Sequence, residues 1–358
     1  MSKTVDGEEA AASPAQTRMV VTAPFAEISP RVTAALRDAG ADAASAEAAT
    51  KAMMHASLIG VDSHGVRLTS HYCQALRGGR VNGTPNMTVR RTGPGTAMID
   101  ADDALGHRAS YRAIEVACDM AAEGGMGAVG VMRSSHYGAA GAYALAGAER
   151  GFFTFSTTNA DSLVGVYDGA ASFHGTNPLA FAAPLRDARP WLFDMATSSI
   201  PLNRVYLFRS LDRMLPENVA ADEHGRPVID PHAVRMLLPL GGAFGFKGAG
   251  LAGVATILAA AFTGGALDHE MLSMTRSPDW TKPRNLGHFF FAIDPDRFVG
   301  RAAYEDAMRS YLDALRNVPQ SGEGAVMAPG DREWAVAERR GREGIPVDAE
   351  TARFLGLT

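Results

Sequence analysis

A histidine between a serine and a glycine is the strongest candidate for chemistry in this chain. The segment Asp62-Ser63-His64-Gly65 follows a predicted helix, Ala44–Leu58, so His64 lies in a turn. An imidazole titrates near neutral pH, and a histidine held by its neighbours can therefore move one proton. Glycine leaves room for close approach to the ring. Asp and Ser are also common at ordinary turns, so this segment alone leaves a structural role open.

A second histidine lies where a predicted strand gives way to a helix. His136 follows the strand Ala128–Met132 and precedes the helix Gly141–Arg150. Ligands collect at such junctions, and the small residues Gly138-Ala139-Ala140 leave room for a flat group. A helix capped by serine, with His136 bonded to a backbone carbonyl, explains the segment equally well.

Of two glycine-rich segments, only the second is a candidate for phosphate contact. The pattern Gly125-x-Gly127-x-x-Gly130 follows a helix and opens a strand, the reverse of a dinucleotide fingerprint, so it predicts a helix end and a tight turn. The segment Gly241–Gly250 offers backbone N–H groups, the charge of Lys247 and a following helix. A flexible loop whose glycines only permit close helix contact is the alternative.

Composition limits the classes of function. The chain has 358 residues, 46% hydrophobic and 20% charged, enough for one large domain or two to three smaller ones. A net charge of -5 without a basic run argues against nucleic-acid binding. The apolar run Leu251–Phe262 is too short to span a bilayer, and the N-terminus lacks the apolar stretch of a secretory signal.

The two cysteines, Cys73 and Cys118, lie far apart and predict buried structural thiols in a reducing compartment. They form no cysteine metal motif, and we predict no metal site. We therefore expect a soluble, cytoplasmic protein that binds neither membrane nor nucleic acid.

Alternating Ala-rich helices and short apolar strands predict a sheet covered by helices. The predicted helices are Ile28–Ala39, Ala44–Leu58, His71–Arg77, Ala109–Ala122, Gly141–Arg150, Leu251–Phe262 and Tyr304–Leu315. The predicted strands are a pair within Met87–Ala101, then Ala128–Met132, Phe152–Thr157, Leu179–Ala183, one ending at Phe193-Asp194-Met195-Ala196, and Leu286–Ile293. A loop over Pro319–Pro329 precedes a charged helical tail.

Six motifs in order make the chain resemble the malate/L-lactate dehydrogenases that are distinct from the Rossmann-fold enzymes of similar name. That family includes oxidoreductases of sulfolactate, ureidoglycolate, diketogulonate and piperideine-2-carboxylate. The resemblance runs from about residue 28 to about residue 344 and rests on Gly60-Val61-Asp62-Ser63-His64-Gly65-Val66, Ser135-His136-Tyr137-Gly138, Gly175-Thr176-Asn177-Pro178-Leu179-Ala180-Phe181, Phe193-Asp194-Met195-Ala196-Thr197-Ser198, Lys247-Gly248-x-Gly250-Leu251 and Arg284-Asn285-Leu286-Gly287.

The resemblance implies an α/β fold of three layers, with a helical lobe and a mixed, largely antiparallel sheet of about seven strands that is not a Rossmann fold. It also implies a homodimer with the active site in a cleft between lobes, beside the partner subunit. We divide the chain into a disordered tail (1–23), a helical lobe with the His64 turn (24–85), a cofactor-binding core (86–300) and C-terminal helices with a cofactor-contacting loop (301–358).

The implied chemistry is hydride transfer between NAD or NADP and C2 of a small 2-hydroxy or 2-oxo acid. Reduction of a cyclic imino acid and a non-catalytic family member are the alternatives. His64 is assigned as acid and base with Ser63 in its hydrogen-bond network, and His136 is the other candidate. The residues implied to contact the cofactor are His136, Tyr137, Gly138, Ala139, Ala140, Ala160, Asp194, Met195, Ala196, Lys247, Gly248, Ala328, Pro329 and Gly330.

Substrate binding is assigned to Thr176 by the resemblance and to Arg67 and Arg204 by the planar fork with which arginine holds a carboxylate. Many family members carry an arginine at the position of Leu68, and Arg67 precedes it by one residue. On a helix this shift turns the side chain by about 100°. The segment before Lys247, Ala243-Phe244-Gly245-Phe246, is also longer and more apolar than the corresponding segment of most family members. A hydrolase using Ser63 or Ser135 with His64 or His136 is disfavoured, because neither serine lies in a G-x-S-x-G elbow.

Overall fold

A computed structural model describes residues 21–274 and 277–357. Residues 1–20 of the predicted tail lie outside these ranges. The helices are α1 (Phe25–Asp38), α2 (Ala43–Leu58), α3 (Thr69–Gly78), α4 (Gly106–Gly124), α5 (Gly141–Ala148), α6 (Leu202–Ser210), α7 (Phe246–Thr256), α8 (Arg301–Arg316), α9 (Asp331–Glu343) and α10 (Ala349–Leu355). The strands are β1 (Val21–Ala23), β2 (Thr88–Gly93), β3 (Thr96–Asp100), β4 (Met126–Ser134), β5 (Phe153–Thr158), β6 (Val164–Gly165), β7 (Ser172–His174), β8 (Leu179–Ala183), β9 (Trp191–Met195), β10 (Ala220–Ala221), β11 (Met236–Leu237), β12 (Leu286–Ile293) and β13 (Ile345–Val347).

The central element is a seven-stranded sheet with the order β2-β3-β4-β12-β5-β8-β9. Only β3 and β4 run parallel, and every other neighbouring pair is antiparallel. The predicted mixed, largely antiparallel sheet of a non-Rossmann α/β fold is therefore confirmed. The rejected glycine pattern also has its predicted role, since Gly125 ends α4 in the left-handed conformation with φ 86°.

The layers follow from the alternation of side chains along β12. Phe290 and Ala292 point into the main core with residues of α4 and α5. Phe289 and Phe291 point to the other face, where they pack with residues of α7 and of the π-helical turn Ile257–Ala261 that follows it. Because successive strand residues face opposite sides, one strand separates the two helical layers.

The N-terminal lobe has its own core, built by α1, α2, α3 and α10. Its two-stranded sheet pairs β1 with β13 and joins Val21 to Val347, so the C-terminal segment returns to the start of the described chain. The last three residues of the predicted tail, Val21–Ala23, belong to this sheet. The predicted helical tail is likewise interrupted by β13 between α9 and α10.

A small four-stranded sheet with the order β10-β11-β6-β7 lies beside α6 and shares a core with it. Neither the small sheet nor α6 was predicted. Strands of two or three residues are too short to show an alternating pattern, and α6 carries only one fully buried residue, Val205.

The helix predicted over Leu251–Phe262 begins earlier, at Phe246, so Lys247 lies in its first turn rather than in a loop. Within the first turn of this helix, Gly248 packs tightly on Leu240, because a side chain at Gly248 would collide with the backbone of Leu240. This glycine therefore permits close packing, which was the alternative interpretation of the segment. Within the described ranges, no helix combines the length and apolar character needed to cross a bilayer.

Candidate active site

The turn that carries His64 is held against α2. Asp62–His64 form a single 3₁₀ turn, and Gly65 follows it in an extended conformation. The Oγ of Ser57 on α2 occupies the space that a Cβ of Gly65 would need, and it accepts a hydrogen bond of 3.0 Å from the backbone of Val66. Gly65 therefore allows the turn to pack on α2, which differs from the predicted path of approach to the histidine.

The two nitrogens of His64 have different surroundings. Its Nδ1 lies 2.9 Å from the Oγ of Ser63, in agreement with the predicted contact, and the ring lines a large cleft. Burial lowers the pKa of His64 to about 4. The imidazole is therefore neutral near pH 7, and Nε2 is the nitrogen left to exchange a proton with a molecule in the cleft.

His136 lies behind His64 and is bonded to a tyrosine. The two imidazoles stack with their centroids 5.7 Å apart and an interplanar angle of 20°. The hydroxyl of Tyr72 lies 2.6 Å from Nδ1 of His136. Burial raises the pKa of Tyr72 and lowers that of His136, so both groups are neutral. We assign the tyrosine hydroxyl as donor, which leaves the proton of His136 on Nε2.

The cleft in front of His64 has a volume of about 970 Å³. It lies where the lobe turn, the β4–α5 loop, the end of β9, α6 and the segment before α9 converge. Most of the predicted site residues line it, namely Ser63, His64, Arg67, Gly138, Ala139, Ala140, Thr176, Asp194, Met195, Ala196, Arg204, Ala328, Pro329 and Gly330. The fold thus brings together residues from six segments that are distant in sequence.

The β4–α5 loop suits a flat, partly apolar group. Gly138 has a φ of 76°, and a Cβ there would lie 3.2 Å from Nε2 of the buried His107. Ala139 and Ala140 add only methyl groups to the cleft wall. The volume lies within the range of about 300–1,000 Å³ that is typical of ligand sites. A dinucleotide cofactor therefore fits the cleft in size and in the small side chains of this wall.

Asp194, at the end of β9, caps the N-terminus of α5. Its Oδ2 accepts a hydrogen bond of 2.7 Å from the backbone N–H of Gly141, the first residue of α5. The serine cap considered for this helix is absent, since the residue before it is Ala140 and makes no side-chain bond. Burial raises the pKa of Asp194 to about 6. The sequence did not predict this cap, because strand and helix are far apart along the chain.

Thr176 is positioned by a buried carboxylate that the sequence analysis missed. Asp268 accepts hydrogen bonds of 2.7 Å from Nδ2 of Asn177, 2.9 Å from Nδ2 of Asn159 and 3.1 Å from the backbone of Gly175. Burial opposes the ionisation of Asp268, but these bonds and one with His174 outweigh it and lower its pKa. A lone aspartate in a polar segment gives no sequence signal of this role.

The charged residues of the cleft are of two kinds. The carboxylates are engaged, since Asp62 is paired with Arg340, Asp194 caps α5 and Glu333 lies 3.5 Å from Arg332. Two exposed arginines line the same cleft, and within residues 21–274 and 277–357 neither forms an ion pair. These two are Arg67, from the lobe, and Arg204, from α6. The cleft therefore offers two guanidinium groups to an anionic ligand.

Known proteins are similar to this chain along most of its length. The family model for malate/L-lactate dehydrogenase matches residues 23–355. The chain belongs to the malate/L-lactate dehydrogenase family. A malate dehydrogenase of Pyrococcus horikoshii is 33% identical over 303 residues, 82% of each chain. A ureidoglycolate dehydrogenase (NAD(+)) of Escherichia coli is 30% identical over 89% of this chain and 90% of its own. An L-sulfolactate dehydrogenase of Methanothermobacter thermautotrophicus is 32% identical over 85% and 86%.

Solved structures of the family superpose along nearly the whole chain. The malate dehydrogenase of Entamoeba histolytica gives a TM-score of 0.87 at 26% identity, covering 95% of this chain and 97% of its own. The delta1-piperideine-2-carboxylate reductase of Pseudomonas syringae gives 0.83 at 26% identity, covering 94% and 98%. This member of the malate/L-lactate dehydrogenase family is therefore an oxidoreductase that uses a nicotinamide cofactor.

Some residues expected to contact the cofactor lie outside the cleft of this family member. Tyr137 is buried and stacks on His288 with centroids 4.7 Å apart, and His136 lies behind His64. The backbone of Ala160 donates to Asn177 over 3.1 Å. Lys247 is exposed with Nζ 5.3 Å from the ring centre of Phe244. The remaining one, Gly248, packs on Leu240.

Proposed function

We propose that the protein transfers a hydride between a nicotinamide cofactor and C2 of a small 2-hydroxy or 2-oxo acid that carries a second anionic group, as malate does. One observation carries this proposal, namely that His64 shares its cleft with two arginines that form no ion pair within the described residues, the charge of Arg67 acting only to lower the pKa of Asp348. A neutral imidazole can manage the proton at C2, and two guanidinium groups can hold the two ends of such a substrate.

His64 serves as the acid and base in this proposal. Ser63 occupies its Nδ1, so Nε2 accepts the hydroxyl proton in oxidation and returns it to the oxygen in reduction. The low pKa of His64 keeps the base form ready for oxidation. A substrate anion beside the ring favours the protonated form that reduction needs. The cofactor, when bound, supplies or accepts the hydride.

His136 has a different role in the same proposal. Its Nδ1 is engaged by Tyr72 and its ring stacks on His64, so it orients the acid and base from behind. A direct contact between His136 and the cofactor stays a prediction.

The cofactor is proposed to lie along the walls formed by Gly138-Ala139-Ala140, Asp194-Met195-Ala196 and Ala328-Pro329-Gly330, which share the cleft with His64. Contacts with Tyr137, Ala160, Lys247 and Gly248 stay predictions. Relatives differ in their choice, since one is named for NAD(+) and another, a (2R)-3-sulfolactate dehydrogenase, for NADP(+). We therefore propose either nicotinamide dinucleotide.

The substrate proposal is supported by the names of relatives and by charge. Malate and sulfolactate each carry two acidic groups, and enzymes named for them match most of this chain. Reduction of a cyclic imino acid is the second candidate, favoured by the close structural likeness to the piperideine-2-carboxylate reductase. Such a substrate carries a single carboxylate and would leave Arg67 or Arg204 without an anion.

We also propose that the protein is a homodimer. The outer side of α7 exposes Leu251 and Val254, and beyond this helix Ile257 is 52% and Phe262 is 64% exposed. An exposed apolar surface of this kind is typical of an interface. Because the family resemblance implies a homodimer, we propose that a second copy of this chain covers it. Ultracentrifugation is expected to give twice the chain mass, and Val254→Asp to give monomers.

A cytoplasmic location is supported by two cysteines that are buried and unpaired.

A substrate panel tests the proposed activity. Purified protein is mixed with NADH or NADPH and with oxaloacetate, sulfopyruvate, pyruvate or piperideine-2-carboxylate, and absorbance at the reduced cofactor's band is followed. We expect the two dianions to be reduced at the highest kcat/KM. Oxidation of neither cofactor with any of these acids would contradict the proposed function, and a clear preference for the cyclic imine would favour the second candidate.

A further inference from the structure

Helix α9 connects the two ends of the cleft. The residues before its start, Ala328-Pro329-Gly330, line the cleft, and so do Arg332 and Glu333 in its first turn. Near its end, Arg340 reaches the turn that carries His64. A helix rises 1.5 Å per residue, so about 13 Å separate Asp331 from Arg340 along the axis.

The guanidinium of Arg340 makes a bidentate contact with the turn that carries His64. Its Nη1 lies 2.6 Å from Oδ1 of Asp62 and its Nη2 lies 2.9 Å from Oδ2. Nη1 also donates to the backbone carbonyl of Ser57 at the end of α2. The arginine side chain is only 12% exposed. This two-point contact fixes the plane of a carboxylate that stands two residues before His64.

The rest of α9 is anchored to the opposite side of the cleft. Nε1 of Trp334 donates to the carbonyl of Pro190 over 3.0 Å, just before β9. Asp331 is held by both arms of Arg316, at 2.9 and 2.7 Å. These contacts fix the N-terminal end of α9. Arg340 therefore contacts the Asp62–His64 turn from a helix whose position is itself fixed.

We propose that Arg340 is a positioning residue for hydride transfer, which holds the Asp62–His64 turn so that the imidazole faces the substrate. Helix α9 thereby links the placement of His64 to the loop that lines the cofactor side of the cleft. The inference rests on the proposed function, in which His64 is the acid and base. Arg340 itself does not line the cleft, so it acts through Asp62 rather than on the substrate.

The chain contains a matched control on the same helix. Arg342 pairs with Glu338 at 2.7 Å, and the two side chains of this pair are 66% and 70% exposed. Arg342→Met therefore removes an ion pair from α9 without touching Asp62. Arg340→Met removes the ion pair with Asp62. Arg340→Lys keeps the positive charge but cannot make the bidentate contact, and Asp62→Asn removes the negative charge while keeping the size of the side chain.

The experiment measures kcat and KM with oxaloacetate, NADH affinity by fluorescence, and the melting temperature of each variant. We expect kcat to fall at least about tenfold in Arg340→Met, with NADH affinity within about twofold of the original and with partial recovery in Arg340→Lys. Asp62→Asn should show a similar loss, and the double variant no further loss, because both break one contact. Arg342→Met should match the original protein.

A second readout does not depend on activity. The titration of His64, followed by NMR and assigned with His64→Gln, should move upward from about 4 by at least about one pH unit in Arg340→Met, because a released turn admits water to the ring. Should Arg340→Met fail to fold, Arg340→Lys and Asp62→Asn carry the same test. An unchanged kcat and an unchanged titration in these variants would overturn the inference. An original protein that oxidises no cofactor would contradict only the proposed function, and the titration would still decide the role of Arg340.

Discussion

At the scale of single residues, the structure distinguishes two histidines, of which the sequence analysis placed His64 first and His136 second. Both rings are neutral and they stack, yet their polar contacts differ. His64 keeps Nε2 for the cleft because Ser63 meets its Nδ1, whereas His136 is bonded to Tyr72 behind it. The chemistry thus follows from which nitrogen each neighbour occupies, a property that residue type alone does not contain.

The first prediction separates the roles of these histidines. His64→Gln keeps the size and a polar end but removes the titrating nitrogen, so kcat should fall by about 10²–10⁴-fold with NADH affinity within about twofold. His136→Gln should lower kcat by less, because it loses only a positioning contact. Steady-state kinetics and fluorescence titration measure both effects. A larger loss of kcat in His136→Gln than in His64→Gln would reverse the assignment.

The second prediction concerns the arginine on α6. Arg204→Met should lower kcat/KM for oxaloacetate by about 10–100-fold, because a hydrogen bond to a charged group contributes about 1.5–3 kcal/mol. The same change should leave kcat/KM for 2-oxobutyrate within about threefold, since that acid lacks the second carboxylate. The ratio of the two values is the measurement. Equal losses for both acids would place Arg204 at the C1 carboxylate or in a structural role.

At the scale of elements, segments with a clear apolar pattern were predicted well, and strands of two or three residues were not. The helix α4 and the strands β4 and β12 carry strong apolar patterns, and the structure places them within a few residues of the predicted ranges. The small sheet around β6 was missed, because β6 pairs with β11 more than 70 residues later and each contributes two residues. Such pairing is decided by the tertiary fold, and local sequence carries little of it.

The third prediction concerns Asp268, which joins two elements and whose role the sequence analysis did not predict. Asp268 joins the turn before β8 to the end of β5, and Asp268→Asn replaces an acceptor with a group that also donates. We expect the free energy of unfolding to fall by about 1–3 kcal/mol and KM for the acid to rise, because Thr176 loses its support. Urea unfolding and kinetics measure these effects. Asp187→Asn, at an exposed turn with φ 59°, is the control and should leave both unchanged.

At the scale of the whole molecule, the active site exists only where separate units meet. The lobe supplies the His64 turn, the main sheet supplies the loops after β4 and β9, and the C-terminal segment supplies both the loop before α9 and Arg340. Sequence patterns predicted the sheet and several of its helices, and most of the site residues implied by the family resemblance line the cleft. The supports, such as Asp268, Tyr72 and Arg340, came only from the fold, because each acts on a residue far away in sequence.

The fourth prediction follows from histidines buried in several parts of the fold. Burial lowers the pKa of His55 to about 4 and those of His107 and His288 to about 3, all from an ordinary value of 6.5. Between these values the unfolded chain binds protons that the folded chain does not. Stability is therefore full above pH 6.5 and is lost as the pH falls towards 4, by up to about 1.4 kcal/mol per pH unit for each histidine. Asp194, with its pKa raised to about 6, acts in the opposite sense but is a single group.

The melting temperature should accordingly fall steeply from pH 6.5 to pH 4.5. His55 is the best residue to remove, because its Nε2 is buried without a partner in the described residues, so His55→Gln breaks no hydrogen bond of that nitrogen. The variant should lose less stability per pH unit than the original protein, whereas His224→Gln, at an exposed turn, should keep the original slope. Urea unfolding at several pH values gives these slopes. A stability that stays level down to pH 4.5 would mean that the buried imidazoles gain protons in the folded state, in which case the low pKa assigned to His64 would fall with the others.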